Sequence, residues 1–377
     1  MTQLAIPGSR RAQRKSATKL LGIGTATPPS GTQDQALEFA MTLNGMAGDQ
    51  QGWLKRVFRQ SGIESRGSVL ARQGDDQFET LRKFYPPSTG PDDRGPTTAA
   101  RMAVYARQAP DLAHDAAAKA LEHSRIRPAQ ITHLITASCT GFFAPGLDAA
   151  LIERLGLNRG VRRLHVGFMG CHAAFNALSA ARDAVANPHA RVLLCCVELC
   201  SLHWAYGADP GKLVANTLFA DGAAAAVIGR DSQADSTPWR LEDFSSFLIP
   251  DSSDAMTWNI GDNGFEMTLS AGVPEIIRRH LGPWCQSWLA RHDLKISDIA
   301  GWAVHPGGPK ILSAVNDALQ LHPGDLRFSQ AVLARHGNMS SATVLFILQQ
   351  MAAEISGPCV AIGLGPGLMA EGMLLKR

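Results

Sequence analysis

Nowhere in the 377 residues does an uninterrupted apolar run approach the ~20 residues of a membrane-crossing helix. The start of the chain also lacks the roughly 7–15-residue apolar segment of a secretory signal. Charge is scarce: 18% of residues are charged, against the ~25% usual in soluble domains, while 45% are hydrophobic. That balance excludes a disordered chain and implies a large interior, with a subunit interface taking some of the surface. An excess of one sign is missing too. The 36 basic and 33 acidic residues leave +3, so no global field favours nucleic acid or a membrane. The 36 glycines and 21 prolines follow no period, which excludes a collagen-like repeat. The seven cysteines are odd in number and contain no C-x-x-C. Cys196 and Cys200 have no matching His or Cys pair, so no zinc or other metal site is read. Free thiols in a reducing cytoplasm are the expectation. The length gives two to three domains at roughly 150 residues each.

What is present is an alternation of strand and helix patterns. Residues 1–19 carry five cations and no acid. They read as a flexible basic tail, although an Arg- and Ser-rich start also fits a transit peptide. Order is expected from the strand at 19–24, and 86–97, with four prolines, forms a loop. Helical spacing covers 98–123, a buried strand 133–138, and a helix starts near 147. Residues 163–168 form a strand, 171–186 a helix, and 191–199 an apolar strand covered on both faces. An alanine-rich strand spans 222–229. The boundary between halves is placed in the polar stretch 230–238, giving units 20–235 and 236–377. The second half repeats the arrangement, with strands at 301–305, 359–365 and 371–377 and a helix at 341–355.

One spacing organises the rest. Cys139 ends a strand and Cys171 begins a helix 32 residues later; His305 ends a strand and Asn338 precedes a helix 33 residues later. An ancient duplication explains the matching order, and two such halves facing each other would bring four polar positions to one seam. Cys171 follows Gly170 at a tight turn. A thiol at a helix N-terminus is a nucleophile candidate, because the dipole favours thiolate. A buried, inert cysteine is an equal reading of that segment alone. His305 ends a strand, where sites collect in α/β sheets, though a lone His is more often structural. Asn338 is a good helix cap as well as a donor.

Taken together, Gly170-Cys171, the 218–224 segment Leu-Phe-Ala-Asp-Gly-Ala-Ala, the 305–309 segment His-Pro-Gly-Gly-Pro, the 337–341 segment Gly-Asn-Met-Ser-Ser and the 363–367 loop resemble the type III polyketide synthases, the chalcone/stilbene synthase-like family. The match covers nearly the whole chain after about residue 20. It implies a thiolase-like α/β fold of two similar halves in αβαβα layers, assembled as a homodimer. It also implies a Cys-His-Asn site at Cys171, His305 and Asn338. The chemistry implied is repeated decarboxylative Claisen condensation of malonyl-CoA onto an acyl-CoA starter held on Cys171, with no cofactor beyond these thioesters. Phe219 matches the family's gatekeeper, and Met267 stands where a second, usually aromatic, gatekeeper is found. Lys55, Arg56 and Lys310, with Gly307 and Ser340, fall at or beside CoA contacts.

Several positions depart from the plant pattern. Cys139 replaces a cavity threonine, Cys200 and His203 lie in a bacterial-looking stretch, and Trp258 replaces a glycine that widens the cavity. Trp204, Phe142 and Phe143 align near cavity walls as well. The expected products are pyrones or small polyhydroxylated aromatics from compact starters. The alternatives are an alkylpyrone or alkylresorcinol synthase using fatty acyl-CoA, a β-ketoacyl-acyl-carrier-protein synthase, or a non-catalytic structural paralogue or cysteine-based redox sensor.

Overall fold

A computed structural model describes residues 17–46, 48–71, 79–230 and 239–377. The first part of the chain runs β1 (Thr18–Ala26), β2 (Ser30–Thr32), α1 (Gln33–Asn44), α2 (Asp49–Gln60), β3 (Ser65–Gly67), α3 (Glu79–Phe84) and α4 (Thr98–Ser124). It continues through β4 (His133–Ser138), α5 (Leu147–Leu155), β5 (Arg162–Gly167), α6 (Ala173–Ala184), β6 (Arg191–Leu199), α7 (Pro210–Leu218) and β7 (Asp221–Arg230). Then come β8 (Arg240–Leu248), β9 (Met256–Gly261), β10 (Gly264–Leu269), α8 (Val273–Ala290) and β11 (Gly301–Val304). The chain closes with α9 (Pro309–Leu319), α10 (Arg327–His336), α11 (Thr343–Met351), β12 (Cys359–Gly365) and β13 (Met369–Lys376). Residues 1–16 of the basic tail lie outside the described residues, and Thr18 and Lys19 already belong to β1. The boundary expected at 230–238 also lies outside them, except for Arg230.

The strand order displays the repetition. β4 is parallel to β5 and β6, β6 antiparallel to β7, and β7 antiparallel to β1. The later strands do the same: β11 is parallel to β12, β12 antiparallel to β13, and β13 antiparallel to β8. The series join where Lys19 pairs with Arg240, giving the order β11-β12-β13-β8-β1-β7-β6-β4-β5.

Layering follows from period-two burial along strands that are apolar on both faces. Leu193, Cys195 and Val197 of β6 pack outward with Ala113, Ala116 and Ala120 of α4. Val192, Leu194 and Cys196 face the other way, into a core with Phe175 and Leu178 of α6 and Val344 and Leu348 of α11. Cys359 and Ala361 of β12 close that core from the opposite side. Val360 and Ile362 point away from it, to Ile277 and Leu281 of α8 and Leu312 and Val315 of α9. The layers therefore run α4, sheet, α6 with α11, sheet, α8 with α9. Helix α11 lies in the middle and is buried on nearly every side, as a helix apolar all round must be. The close fit of α4 to β1 needs glycine: a Cβ at Gly24 would stand 2.2 Å from Ala116 O.

The helices expected from Cys171 and from Ser341 each open differently. A 3-10 turn comes first, Gly170–His172 and Ser340–Ala342, and the α-helix follows. Gly170 has φ of 76° and Ser340 of 46°. A left-handed residue at the start of each helix takes the first turn off the α-helical path, and i→i+3 bonding fills it.

Candidate active site

The two central helices and two strand ends bring the candidate residues together. Cys171 sits in the turn before α6, His305 one residue past β11, and Asn338 just before the turn that leads into α11. All three line one cavity, with Phe219, Met267 and Gly307. His305 is anchored by its backbone N–H, which donates to Ile362 O at 2.8 Å. Asn338 is held at both ends, donating to Leu218 O at 2.9 Å and accepting from Ala220 N–H at 2.9 Å. This bridge fixes Phe219 against it.

The Asn338 side chain serves as both cap and donor. Its Oδ1 accepts the Ser340 N–H at 2.9 Å, which assigns the amide orientation and leaves Nδ2 as a donor. Hydrogen bonds from Ser340 and Asn338 reach the Cys171 sulfur. His305 is 2% exposed, and neither ring nitrogen has a hydrogen-bond partner. Leaving a buried polar atom unpaired costs about 1–3 kcal/mol, so two on one ring mark a group presented to a ligand.

Electrostatics modify the expected thiolate. Burial pushes the Cys171 thiol up to about 12, and the hydrogen bonds from Ser340 and Asn338 only partly oppose it. Burial likewise pushes His305 down to about 3, with a further lowering from His172. Both shifts favour neutral thiol and neutral imidazole. The reason lies in the geometry: Cys171 lies in a short 3-10 turn within a closed interior, and desolvation outweighs the helix dipole.

A second cavity meets the first at Cys171, Phe219 and Met267, and is also lined by Cys139, Cys200, His203, Trp258 and Ser340. Cys139 has different neighbours from Cys171. Its sulfur lies 3.5 Å from Glu198 Oε2 and 3.1 Å from Ser340 Oγ, and burial with the Glu198 charge drives its pKa well up. Glu198 is fully buried and accepts from Thr140 Oγ1 at 2.7 Å, from Ser341 Oγ and from Cys139 N–H at 3.0 Å. At the far wall, His203 Nδ1 accepts the Phe265 N–H at 2.9 Å, so Nε2–H donates to Thr140 O at 2.7 Å. Trp258 Nε1–H donates to Cys139 O at 2.8 Å. His203 stacks on Phe265 with centroids 4.3 Å apart and meets Trp258 edge-on at 5.6 Å.

Other residues fall in different places. Trp204 lines the second cavity, but Phe142 is 54% exposed and Phe143 packs on the outer core, so neither walls the chamber within one chain. Their loop turns outward after Gly141, where Tyr105 leaves no room even for a Cβ (2.3 Å). Ser340 lies between the thiols rather than at the surface, and Gly307 lines the His305 cavity. Lys55 and Arg56 on α2 and Lys310 on α9 are exposed, and none forms an ion pair among the described residues. Sequence reasoning missed Phe265, Met256 and the hub role of Glu198. The Gly261-Asp262-Asn263-Gly264 turn was a usable hairpin signal for the first two.

Known proteins resemble this chain in sequence and fold. Residues 7–232 match the family profile described as chalcone and stilbene synthases, N-terminal domain, and residues 241–377 match the C-terminal domain of the same family. A 1,3,6,8-tetrahydroxynaphthalene synthase of Streptomyces peucetius subsp. caesius is 34% identical over 377 residues, covering 98% of this chain and 96% of that protein. The alpha-pyrone synthesis polyketide synthase-like Pks18 of Mycobacterium tuberculosis is 36% identical over 334 residues, 86% of this chain and 82% of its own. Among solved structures, PKS-I of the brown alga Ectocarpus siliculosus superposes with a TM-score of 0.88 at 30% identity, covering 97% of this chain and 100% of that one. The type III polyketide synthase domain of Steely1 from Dictyostelium gives 0.85 at 27% identity, with 96% and 99% covered.

Proposed function

The chain belongs to the chalcone and stilbene synthase family and is a type III polyketide synthase, and from that premise we propose the division of labour among its residues. Cys171 is the acyl carrier, and the reaction is an acyl transfer from CoA thioesters. His305 takes the thiol proton as Cys171 attacks the starter and gives it to the departing CoA thiolate. Malonyl-CoA then loses CO₂, and negative charge develops on its thioester oxygen. His305 Nε2–H and Asn338 Nδ2–H are the donors aimed at that oxygen. The enolate attacks the acyl-Cys171 carbonyl, and the lengthened chain on CoA returns to Cys171.

The observation that carries this reading is the unpaired, buried imidazole of His305 in one cavity with the Cys171 thiol and the Asn338 amide, whose Nδ2 is left as a donor. The test is CO₂ release from malonyl-CoA in a Cys171→Ala background, with His305 or Asn338 then changed to Ala. Each second change is expected to slow release by ~10²–10³; unchanged release removes that residue's role.

We further assign CoA phosphates to Lys55, Arg56 and Lys310, whose charges have no acidic partner among the described residues, and gatekeeping to Phe219 and Met267, where the cavities meet. Gly307 would border the pantetheine thioester. No cofactor beyond the thioesters is invoked, and the cytoplasm is the proposed location. A homodimer is supported by edge strand β5, whose residues are mostly exposed, with Leu164, Met169 and Phe142 presenting apolar surface nearby. Units 20–235 and 236–377 are the proposed halves. The product we propose is a pyrone or small polyhydroxylated aromatic from a compact starter, because His203, Trp258 and Phe265 close the chamber where an alkyl chain would run. Faster turnover with palmitoyl-CoA than with acetyl- or malonyl-primed reactions would reverse this in favour of an alkylpyrone or alkylresorcinol synthase.

A further inference from the structure

Glu266 is the only acid, and Lys212 the only Lys or Arg, among the residues lining either cavity. Lys212 Nζ donates to Glu266 Oε2 at 2.8 Å, and the two side chains are 30% and 48% exposed. One partly exposed ion pair thus sits in the chamber wall, and no step of the condensation uses it.

The two residues belong to the elements that carry the gate. Lys212 lies in the first turn of α7, where Asp209 Oδ1 caps its N–H at 2.9 Å. Phe219 is the C-cap residue of the same helix. Glu266 stands next to Met267 on β10. These elements are held very differently. At the end of α7, Arg66 Nη1 donates to Asn216 O at 2.6 Å and to Phe219 O at 2.9 Å. The Asn216 amide pairs with both backbone groups of Ala205, and Asn338 brackets Phe219 from the other side. The β9–β10 hairpin is a two-stranded sheet of its own, outside the nine-stranded one, and such a ribbon has little stability alone. It is fixed at its turn, where Thr98 Oγ1 donates to Gly261 O and accepts the Gly264 N–H. It is fixed again at the end wall through Trp258 and Phe265. Among the described residues, the Lys212–Glu266 contact is the one hydrogen bond that joins the hairpin to α7.

We infer that this ion pair is a strap across the gate: it sets how far Met267 stands from Phe219, and so which acyl groups pass to Cys171. The inference rests on the gatekeeping proposed for those two residues. Lys212 and Glu266 would determine specificity without touching the reacting atoms. A partly exposed pair of this kind is worth a factor of about 1.4–5 in an equilibrium. That is too little to hold the fold, and enough to bias a hairpin between nearer and farther positions. Releasing the strap lets Met267 move away from α7. Acetyl passes a narrow or a wide opening alike, whereas a longer acyl chain gains from the wide one.

The test compares loading of Cys171 by octanoyl-CoA and by acetyl-CoA, each read as acyl-enzyme by intact-protein mass spectrometry. Both starters carry the same CoA, so their ratio cancels contacts to its phosphates. Lys212→Met and Glu266→Gln are each expected to raise the octanoyl-to-acetyl ratio by about 2–5-fold, and the double variant no further than either alone. Lys212→Glu combined with Glu266→Lys is expected to bring the ratio back toward wild type. Raising salt to about 1 M should carry the wild-type ratio toward that of the single variants, which stay where they are. A purely structural contact would lower both loadings alike, and additive effects would mean two independent side chains. Either result, or an unmoved ratio, overturns the strap, and each single variant decides by itself if the other folds poorly. Met267→Ala separates the two ideas. An unmoved ratio there removes the gatekeeping of Met267, whereas a ratio that moves there but not in the charge variants removes the strap alone.

Discussion

Two thiols share one serine but face opposite neighbours. Cys139 spends its S–H on Glu198, whose buried carboxylate also opposes a thiolate beside it. Cys171 faces donors, the Ser340 hydroxyl and the Asn338 amide, which stabilise negative charge on sulfur. Cys171→Ala is therefore expected to abolish product and the acyl-enzyme adduct seen by mass spectrometry, while Cys139→Ser keeps both. An adduct that survives in Cys171→Ala would shift the carrier role to another thiol. Asn338 permits a sharper experiment than alanine. In Asn338→Asp one carboxylate oxygen still accepts the Ser340 N–H, so the turn is kept, but the donor to the enolate becomes an acceptor. Decarboxylation in that variant is expected to fall by ~10²–10³ with its melting temperature little changed; wild-type CO₂ release would show that the amide is only a cap.

Among elements, the β9–β10 hairpin decides how much room the chain has. Trp258 and Met267 are cross-strand partners, so one face of the hairpin supplies both the end wall and the second gatekeeper. His203 ties this wall to the Thr140 backbone through two hydrogen bonds, one to Thr140 O and one from Phe265 N–H. His203→Ala removes the stacked ring and both ties. Its expected effect is a gain of octanoyl-CoA turnover relative to acetyl-primed turnover, read by product mass spectrometry; an unchanged ratio would place the length limit elsewhere. This hairpin was also the part least legible from sequence. Strands β4, β6 and β12 announce themselves as continuous apolar runs because helices cover both faces. β9 and β10 are half exposed, mix polar with aromatic residues, and show no clean period. Cys171, His305 and Asn338 could be singled out because they stand at strand ends and turns marked by glycine. The Glu198 hub was not, because it depends on register: Ala137 pairs with Cys196, which brings Cys139 level with Glu198, and no local pattern states that pairing. The burial that raises the Cys171 thiol was not legible for a similar reason, since burial is set by the whole interior.

At the scale of the whole molecule, the buried ionisable groups make stability depend on pH in two opposed ways. Burial lowers His203 and His305 to about 3 from 6.5. Between those values the unfolded chain binds a proton at each position that the folded chain does not, so stability drops as pH falls through that window. Burial raises Asp221 to about 6, against hydrogen bonds from Ser201 and Val69, and it raises Glu198 as well. These carboxyls bind protons in the folded chain first, so they favour the folded state as pH falls. Asp243 adds a third contribution. Burial pushes it up, but bonds from Trp288 and His292 prevail and hold it below 3.8, so its stabilisation is lost only in strong acid. Because the histidine and carboxyl contributions overlap between about pH 4 and 6, the total profile hides them, and single replacements expose them. In His203→Phe, stability relative to wild type should improve steadily as pH is lowered from about 7 to about 4, by up to about 1.4 kcal/mol per pH unit. Asp221→Asn should show the opposite trend between about 6 and 3.8. Urea midpoints measured across this range decide it. A difference that stays constant with pH in both variants would mean that neither residue has the buried charge balance assigned to it.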